Sequence, residues 1–307
     1  MHPSKILLFG EYTILLNSYA LAIPYKRFKG ELVFMDAPSG KEQGEPVHSN
    51  HRLKEFFIFS KQSDITRKLT YPLDFESFYK DIENGLYFKS DIPEESGLGS
   101  SGALVAAIFH KYSNIPASGM DILNIKSCLA LLESFYHNNS SGIDPLVSYL
   151  ETPLLIKGNE ISLTFFHQIE KSLQEYGLFL VNSRNKRKTG ELVKKYNKRC
   201  FSDHGYIRKT EQEYIPVSNE CVITLSRSNN ADRFFSAIRK LTLLQLDLFN
   251  EMIPDKIIQL TYYGVEKDLF YLKLCGSGGG GFFLGFTKNI TQTESFFNER
   301  GYQILVY

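Results

Sequence analysis

Pro93-Glu94-Glu95-Ser96-Gly97-Leu98-Gly99-Ser100-Ser101-Gly102 sets a glycine-rich turn directly ahead of the apolar run Ala103-Leu104-Val105-Ala106-Ala107-Ile108-Phe109. Leu86 to Ile92 reads as a strand leading in, and the apolar run reads as a helix whose first turn carries amides with no intrahelical partner. Those donors and the positive end of the helix dipole attract anions. Gly97 and Gly99 let the backbone approach phosphate oxygens with no side chain between. Ser100 and Ser101 add two hydroxyls, one to cap the helix and one free to ligate a cation that bridges phosphates. The stretch lacks the lysine of the Walker pattern and the third glycine of the dinucleotide fingerprint. An ordinary capped helix start reads the same way locally, so the neighbouring motifs have to discriminate.

Three further segments follow the same logic. Ser4-Lys5-Ile6-Leu7-Leu8-Phe9-Gly10-Glu11-Tyr12 opens the chain, Ser140-Ser141-Gly142-Ile143-Asp144-Pro145 follows the helical region, and Lys273-Leu274-Cys275-Gly276-Ser277-Gly278-Gly279-Gly280-Gly281-Phe282-Phe283 lies near the end. In this order, with the 93–102 loop, they resemble the motifs of the GHMP kinase superfamily over nearly the whole chain. The resemblance implies an α+β, two-domain GHMP kinase-like fold with the active site in the cleft between domains. The expected division is 1–165, carrying the phosphate loop, and 166–307, carrying the glycine turn 276–281.

Composition agrees with such an enzyme and excludes other classes. A chain of 307 residues with 43% hydrophobic content can bury two modest cores. Net charge is +1, from 35 basic and 34 acidic residues, which argues against a protein devoted to wrapping nucleic acid. Cys128, Cys200, Cys221 and Cys275 have neither zinc-ligand spacing nor the look of a disulfide framework. No run of 18 apolar residues is present, and the opening Ile6 to Phe9 run is too short for a signal peptide. The expectation is a soluble cytoplasmic protein with no nucleic-acid or membrane partner, with a homodimer left open.

Short apolar runs (Ile6 to Phe9, Ile14 to Leu16, Ala20 to Ile23, Leu32 to Met35) predict several strands. Residues 36–52 read as a loop, Lys54 to Lys61 as a strand, and Asp74 to Asn84 as a helix capped by Asp74. Helices are expected from Ser100 to His137. Strands follow at Pro153 to Lys157, Ile161 to His167 and Gly177 to Asn182, then helices over 231–251 and 254–266. Strands bracket the glycine turn, which argues against a flexible linker.

The resemblance assigns roles residue by residue. Gly97, Leu98, Gly99, Ser100 and Ser101 correspond to the ATP phosphate loop. Ser101 and Glu133, the acid eleven residues before Asp144, correspond to the Mg²⁺ ligands. Asp144 corresponds to the catalytic base and Lys5 to its partner. An adjacent ammonium keeps such a carboxylate ionised and favours the alkoxide. Glu11, Tyr12 and Thr189 correspond to acceptor-site positions. Local alternatives exist for several of these: Asp144 as a helix cap, Glu133 as a solvated face residue, Lys5 as a strand-end lysine. The implied activity is transfer of the γ-phosphoryl group of ATP to a small-molecule alcohol, first mevalonate.

Departures leave the acceptor open. Ser4 precedes Lys5 where the family has glycine, and Tyr12 replaces the histidine usual in mevalonate kinases. Gly-Glu-Tyr and Gly102 look more like phosphomevalonate kinases, whereas Ser141-Gly142-Ile143-Asp144 looks more like mevalonate kinase. Residues 184–199 hold eight basic residues and one acidic, suited to clamping a phosphorylated acceptor, to a solvated loop or to a nucleic-acid patch. A non-catalytic homologue that binds a metabolite is the remaining alternative, opposed by the joint presence of Lys5, Ser101, Glu133 and Asp144.

Overall fold

The apolar runs at the start of the chain build two strands, β1 (His2–Phe9) and β2 (Tyr19–Phe34). They belong to a computed structural model that describes all residues except 36–43, 116–118, 120, 138–139, 164–165, 186–188 and 228–229, with the side chains of 166–168 and 189 also outside the description. Ile14 to Leu16, expected as a strand, lies in a 3-10 turn over Thr13–Leu16. Leu15 is exposed and Asn17 closes the turn at φ 61, so the run cannot alternate its side chains as a strand does. Contacts divide the chain into two compact units. The first holds Met1–Ile6, Ile23–Glu94 and Leu98–Thr152; the second holds Leu7–Ala22, Glu95–Gly97 and Pro153–Tyr307.

In the first unit come α1 (Glu45–Gln62), α2 (Ile65–Lys68), α3 (Phe75–Glu83), β3 (Leu86–Ser90), α4 (Ser100–Tyr112), α5 (Ile122–His137) and α6 (Ile143–Leu150). β3 pairs antiparallel with β2, from Gly30 opposite Ser90 to Phe34 opposite Leu86. Helix α1 packs on β3 and corrects two expectations, the loop to residue 52 and the strand from Lys54 to Lys61. Pro46 falls in its first turn, where the missing N–H has no helical partner to lose. Leu53, Phe56 and Ser60 are buried while Ile58 is half exposed, a helical period within a run of aromatic residues that looks strand-like. Helix α3 forms as expected, with Asp74 accepting from the Ser77 N–H at 3.0 Å. Its Phe75, Phe78 and Ile82 are buried, each contributing about 1.5–3 kcal/mol by leaving water.

Helices α4, α5 and α6 pack on one another. A Cβ added to Gly102 would sit 3.0 Å from both the Asp144 carbonyl carbon and the Pro145 nitrogen. Helix α4 therefore rests backbone against backbone on the first turn of α6.

The second unit carries β4 (Leu154–Lys157), β5 (Glu160–Leu163), α7 (Phe166–Glu175), β6 (Phe179–Asn182), α8 (Thr189–Ser202), α9 (His204–Lys209), α10 (Ile215–Arg227), α11 (Ala231–Leu248), α12 (Asp255–Glu266), β7 (Tyr271–Leu274), β8 (Phe282–Phe286), α13 (Ile290–Glu299) and β9 (Ile304–Val306). β4 pairs antiparallel with the Tyr19 to Ala22 end of β2 and with β5. The strand expected over Ile161 to His167 stops at Leu163, and α7 begins at Phe166. Four strands form an antiparallel sheet in the order β7-β8-β6-β9.

Within this unit Phe249 is ringed by Tyr12, Tyr196, Tyr206 and Tyr214 at centroid separations of 5.0 to 6.5 Å. Lys273 of β7 donates to Glu11 Oε1 and to the Leu274 carbonyl, both at 2.5 Å, and neither side chain of the ion pair exceeds 1% exposure. Burial pushes the Glu11 carboxyl up, against the Lys273 charge that pulls it down. All four cysteines are free thiols; Cys128, Cys221 and Cys275 are buried and Cys200 is half-buried.

Two stability tests follow from these contacts. Gly102→Ala should cost roughly 1–3 kcal/mol in urea unfolding, because the neighbouring atoms are backbone and cannot swing aside. Lys273→Met should cost about 3–5 kcal/mol near pH 7 by stranding a buried carboxylate, and less as the pH falls, because burial pushes the Glu11 carboxyl up and eases its protonation. The Glu11→Gln, Lys273→Met double variant should recover most of that loss.

Candidate active site

The 93–102 loop turns through three left-handed residues, Glu95 (φ 52), Gly97 (φ 86) and Gly99 (φ 79). Gly99 is the cap residue of α4, and no side chain caps the helix. The Ala103 N–H makes the first intrahelical bond, to the Gly99 carbonyl at 3.0 Å. The amides of Ser100, Ser101 and Gly102 thus belong to the set a helix leaves without intrahelical partners, at its positive end. A Cβ on Gly99 would lie 2.8 Å from Lys5 Cγ, so the glycine also lets Lys5 run alongside the turn. The Lys5 N–H donates to the Leu98 carbonyl at 2.8 Å and fixes strand β1 to the loop.

Lys5 Nζ lies 2.9 Å from Asp144 Oδ2, with the lysine side chain 7% and the aspartate 38% exposed. Asp144 was open to being a helix cap; instead Gly142 (φ 72) occupies that place and Asp144 sits in the first turn of α6. Its carboxylate is thereby left to the lysine and to solvent. The serine pair also divides its labour differently from a cap plus a ligand. The Ser101 hydroxyl donates to Glu133 Oε1 at 3.2 Å and lies 3.1 Å from His137 Nε2.

Glu133 is buried on α5 at 3% exposure, which disposes of a solvated-face role. Its second oxygen accepts from the Ser140 hydroxyl at 2.5 Å. Burial first, and then the negative charge of Asp144, push its carboxyl up to about 7, against the hydrogen bonds from Ser140 and Ser101 and the charge of Lys5. Five sequence-derived positions, Lys5, Gly99, Ser101, Glu133 and Asp144, are thus linked by contacts within the first unit. Ser140 and His137 join them without having been assigned roles from sequence. The spacing of Glu133 and His137, one helical turn apart, was the available signal for the histidine.

The donor set suits a hard divalent cation. Ser101 and Glu133 offer oxygen, and a carboxyl held near 7 by burial and a neighbouring carboxylate marks a surplus of negative charge that a cation would relieve. Among the described residues no group of three or more His, Cys, Asp and Glu side chains forms a metal cage. An ion such as Mg²⁺ takes one or two protein ligands and completes its shell with water and phosphate.

The remaining candidates lie in the second unit. Glu11 is committed to Lys273. Tyr12, at φ 63, donates its hydroxyl to the Ser277 carbonyl at 2.6 Å and packs its ring 4.7 Å from Tyr196, holding the glycine turn from the side. Gly281 of that turn accepts from the Ser183 N–H at 2.9 Å and donates to the Asn185 carbonyl at 3.0 Å. Thr189 opens α8, with its side chain outside the described residues. Of the basic stretch, 186–188 also lie outside them. Arg184 places its guanidinium 4.9 Å from the Tyr302 ring centre and donates to the Gly301 carbonyl.

The sequence profile of the GHMP kinases N terminal domain matches residues 67–151, which include the α4 start, Glu133 and Asp144. A search of curated proteins finds no match. Among solved structures, the Methanococcus jannaschii mevalonate kinase is similar at TM-score 0.66 and 17% identity, covering 99% of this chain and 96% of that one. The L. major mevalonate kinase, solved in complex with R-mevalonate, gives 0.65 and 14% over 96% and 88%. The Streptococcus pneumoniae phosphomevalonate kinase, in complex with phosphomevalonate and AMPPNP, gives 0.60 and 15% over 100% and 98%. Residues 67–151 thus match the GHMP kinases N terminal domain, and the chain along its full length shares the fold of these kinases.

Proposed function

We propose that the chain is an ATP- and Mg²⁺-dependent kinase that transfers the γ-phosphoryl group to the hydroxyl of a small-molecule alcohol, with mevalonate the first acceptor to test. The observation that carries this reading is the Lys5–Asp144 pair at 2.9 Å, set in the same cluster as the α4 start and the Ser101–Glu133 contact. Phosphoryl transfer asks a protein mainly for positioning and charge stabilisation. The amides at the start of α4 would hold phosphate oxygens. Asp144, the more exposed member of its pair, would accept the acceptor's hydroxyl proton, and Lys5 would favour the alkoxide as that proton leaves. Ser101 and Glu133 would hold Mg²⁺, which when bound neutralises charge on the phosphates.

Mevalonate is supported by the Ser141 to Asp144 segment and by the likeness to two mevalonate kinases. Phosphomevalonate is the second reading, supported by Tyr12, by Gly102 and by the likeness to the pneumococcal enzyme. A clamp for its extra phosphate would need free cations, and Arg184 is already engaged with Tyr302 and Gly301.

The test is ADP release over mevalonate, phosphomevalonate, homoserine and sugars. Turnover with one alcohol is expected, and Asp144→Asn should lower it by about 10²- to 10⁴-fold while ATP affinity changes little. No turnover with any alcohol, or wild-type rates in Asp144→Asn, would refute the assignment.

Glu133→Gln yields a paired expectation. The variant should need far more Mg²⁺ to use ATP, yet the ligand-free protein should gain stability. The folded carboxyl titrates near 7 and the unfolded one near its ordinary value of 4.5, so the wild type is fully stable below 4.5 and loses stability as pH rises through 7. Glutamine carries no such charge, so the gain should be on the order of 1–3 kcal/mol at pH 8 and close to nil at pH 4.5. Melting curves at the two pH values check the sign.

A further inference from the structure

His137 ends α5 one turn after Glu133, which places both side chains on one face of the helix. Ser101 Oγ stands between them, 3.2 Å from Glu133 Oε1 and 3.1 Å from His137 Nε2. Ser101 Oγ is thus flanked by an oxygen and a nitrogen able to donate electron pairs, each at a spacing close to that of adjacent ligands on an octahedral ion, about 3 Å for bonds of roughly 2.1 Å. Magnesium and manganese both favour oxygen, but manganese, at the start of the transition series, tolerates an imidazole nitrogen better than magnesium does. Ser140 on Glu133 Oε2 fixes the carboxylate, leaving Oε1 on the side of Ser101.

We propose that His137 supplies a nitrogen ligand to the cation held by Ser101 and Glu133, so that this site takes Mn²⁺ in preference to Mg²⁺. The inference rests on the reading of Ser101 and Glu133 as cation ligands. In the ligand-free structure Nε2 meets the Ser101 hydroxyl. The Ser101 proton goes to Glu133, so there Nε2 carries the ring proton and donates to Ser101 Oγ; moving that proton to Nδ1 frees the Nε2 lone pair for the cation. No covalent step is involved; the imidazole exchanges one contact for another.

The test uses the full-length protein with Mn²⁺ and ADP, in frozen solution, read by pulsed electron paramagnetic resonance. Protein labelled with ¹⁵N-histidine separates an imidazole ligand from the nitrogens of adenine. The wild type should show a ¹⁵N coupling to bound Mn²⁺ that His137→Ala and His137→Gln lack. Competition with Mg²⁺ should show the Mn²⁺ preference of both variants reduced by roughly tenfold, the size that even outer-shell partners of a metal contribute. Melting curves confirm that the variants fold; the half-turn of helix they alter is exposed.

Bound Mn²⁺·ADP with no ¹⁵N coupling, and with the same preference in wild type and variants, would overturn the nitrogen ligand and leave Ser101 and Glu133 as the cation site. Weaker ADP binding in the variants without any ¹⁵N coupling in the wild type would also overturn it, making His137 a phosphate donor. Absence of Mn²⁺·ADP binding to the wild type would overturn both this inference and the cation site beneath it.

Discussion

Everything in the candidate site of the first unit depends on how closely two helices approach. Helix α4 brings the turn amides and Ser101, and helix α6 brings Asp144. A side chain at residue 102 would hold the two backbones apart. Glycine there allows contact at the distance of the backbone atoms themselves, and the same closeness lets the charge of Asp144 act on Glu133. The glycine at 99 does comparable work for Lys5. Two missing Cβ atoms thus set the positions of the two charged groups on which the proposed chemistry rests.

The two units handle buried charge in opposite ways. Glu11 and Lys273 neutralise each other out of contact with water and join the turn after β1 to strand β7. Such a pair is costly to break and adds little if replaced whole by apolar groups. Among the described residues Glu133 has hydroxyl partners and no cation in direct contact, and burial and the Asp144 charge push its carboxyl up to about 7. The first arrangement is finished in the free protein. The second is a strongly perturbed group of the kind that clusters at functional sites.

Much of this was legible in the sequence because it is local. The glycine turn, the helix after it and the Asp74 cap depend on residues within one or two turns of each other. The Glu133 position came from the resemblance and its spacing to Asp144, and periodicity alone would have left it undecided. What escaped was either masked by composition or set by packing. Phe56-Phe57-Ile58-Phe59 looks like a strand, yet only one of its positions turns fully inward in α1. His137 and Glu133 meet Ser101 because α5 folds against α4, which no short window contains, and Ser140 reaches Glu133 from seven positions on, a spacing that helical periodicity does not mark. The Glu11–Lys273 pair spans 262 positions, and nothing near either residue names the other.

The free thiols carry a practical corollary. Burial pushes the Cys221 thiol well above its ordinary value, and Cys128 and Cys275 are likewise enclosed, while Cys200 stays within reach of solvent on α8. Since the thiolate is the reacting species, an alkylating reagent reaches Cys200 first, slowed because partial burial pushes its thiol up as well, and the three others only when the structure opens. The protein therefore contains its own clock for opening, with sulfurs in both units: Cys128 in the first, Cys221 and Cys275 in the second.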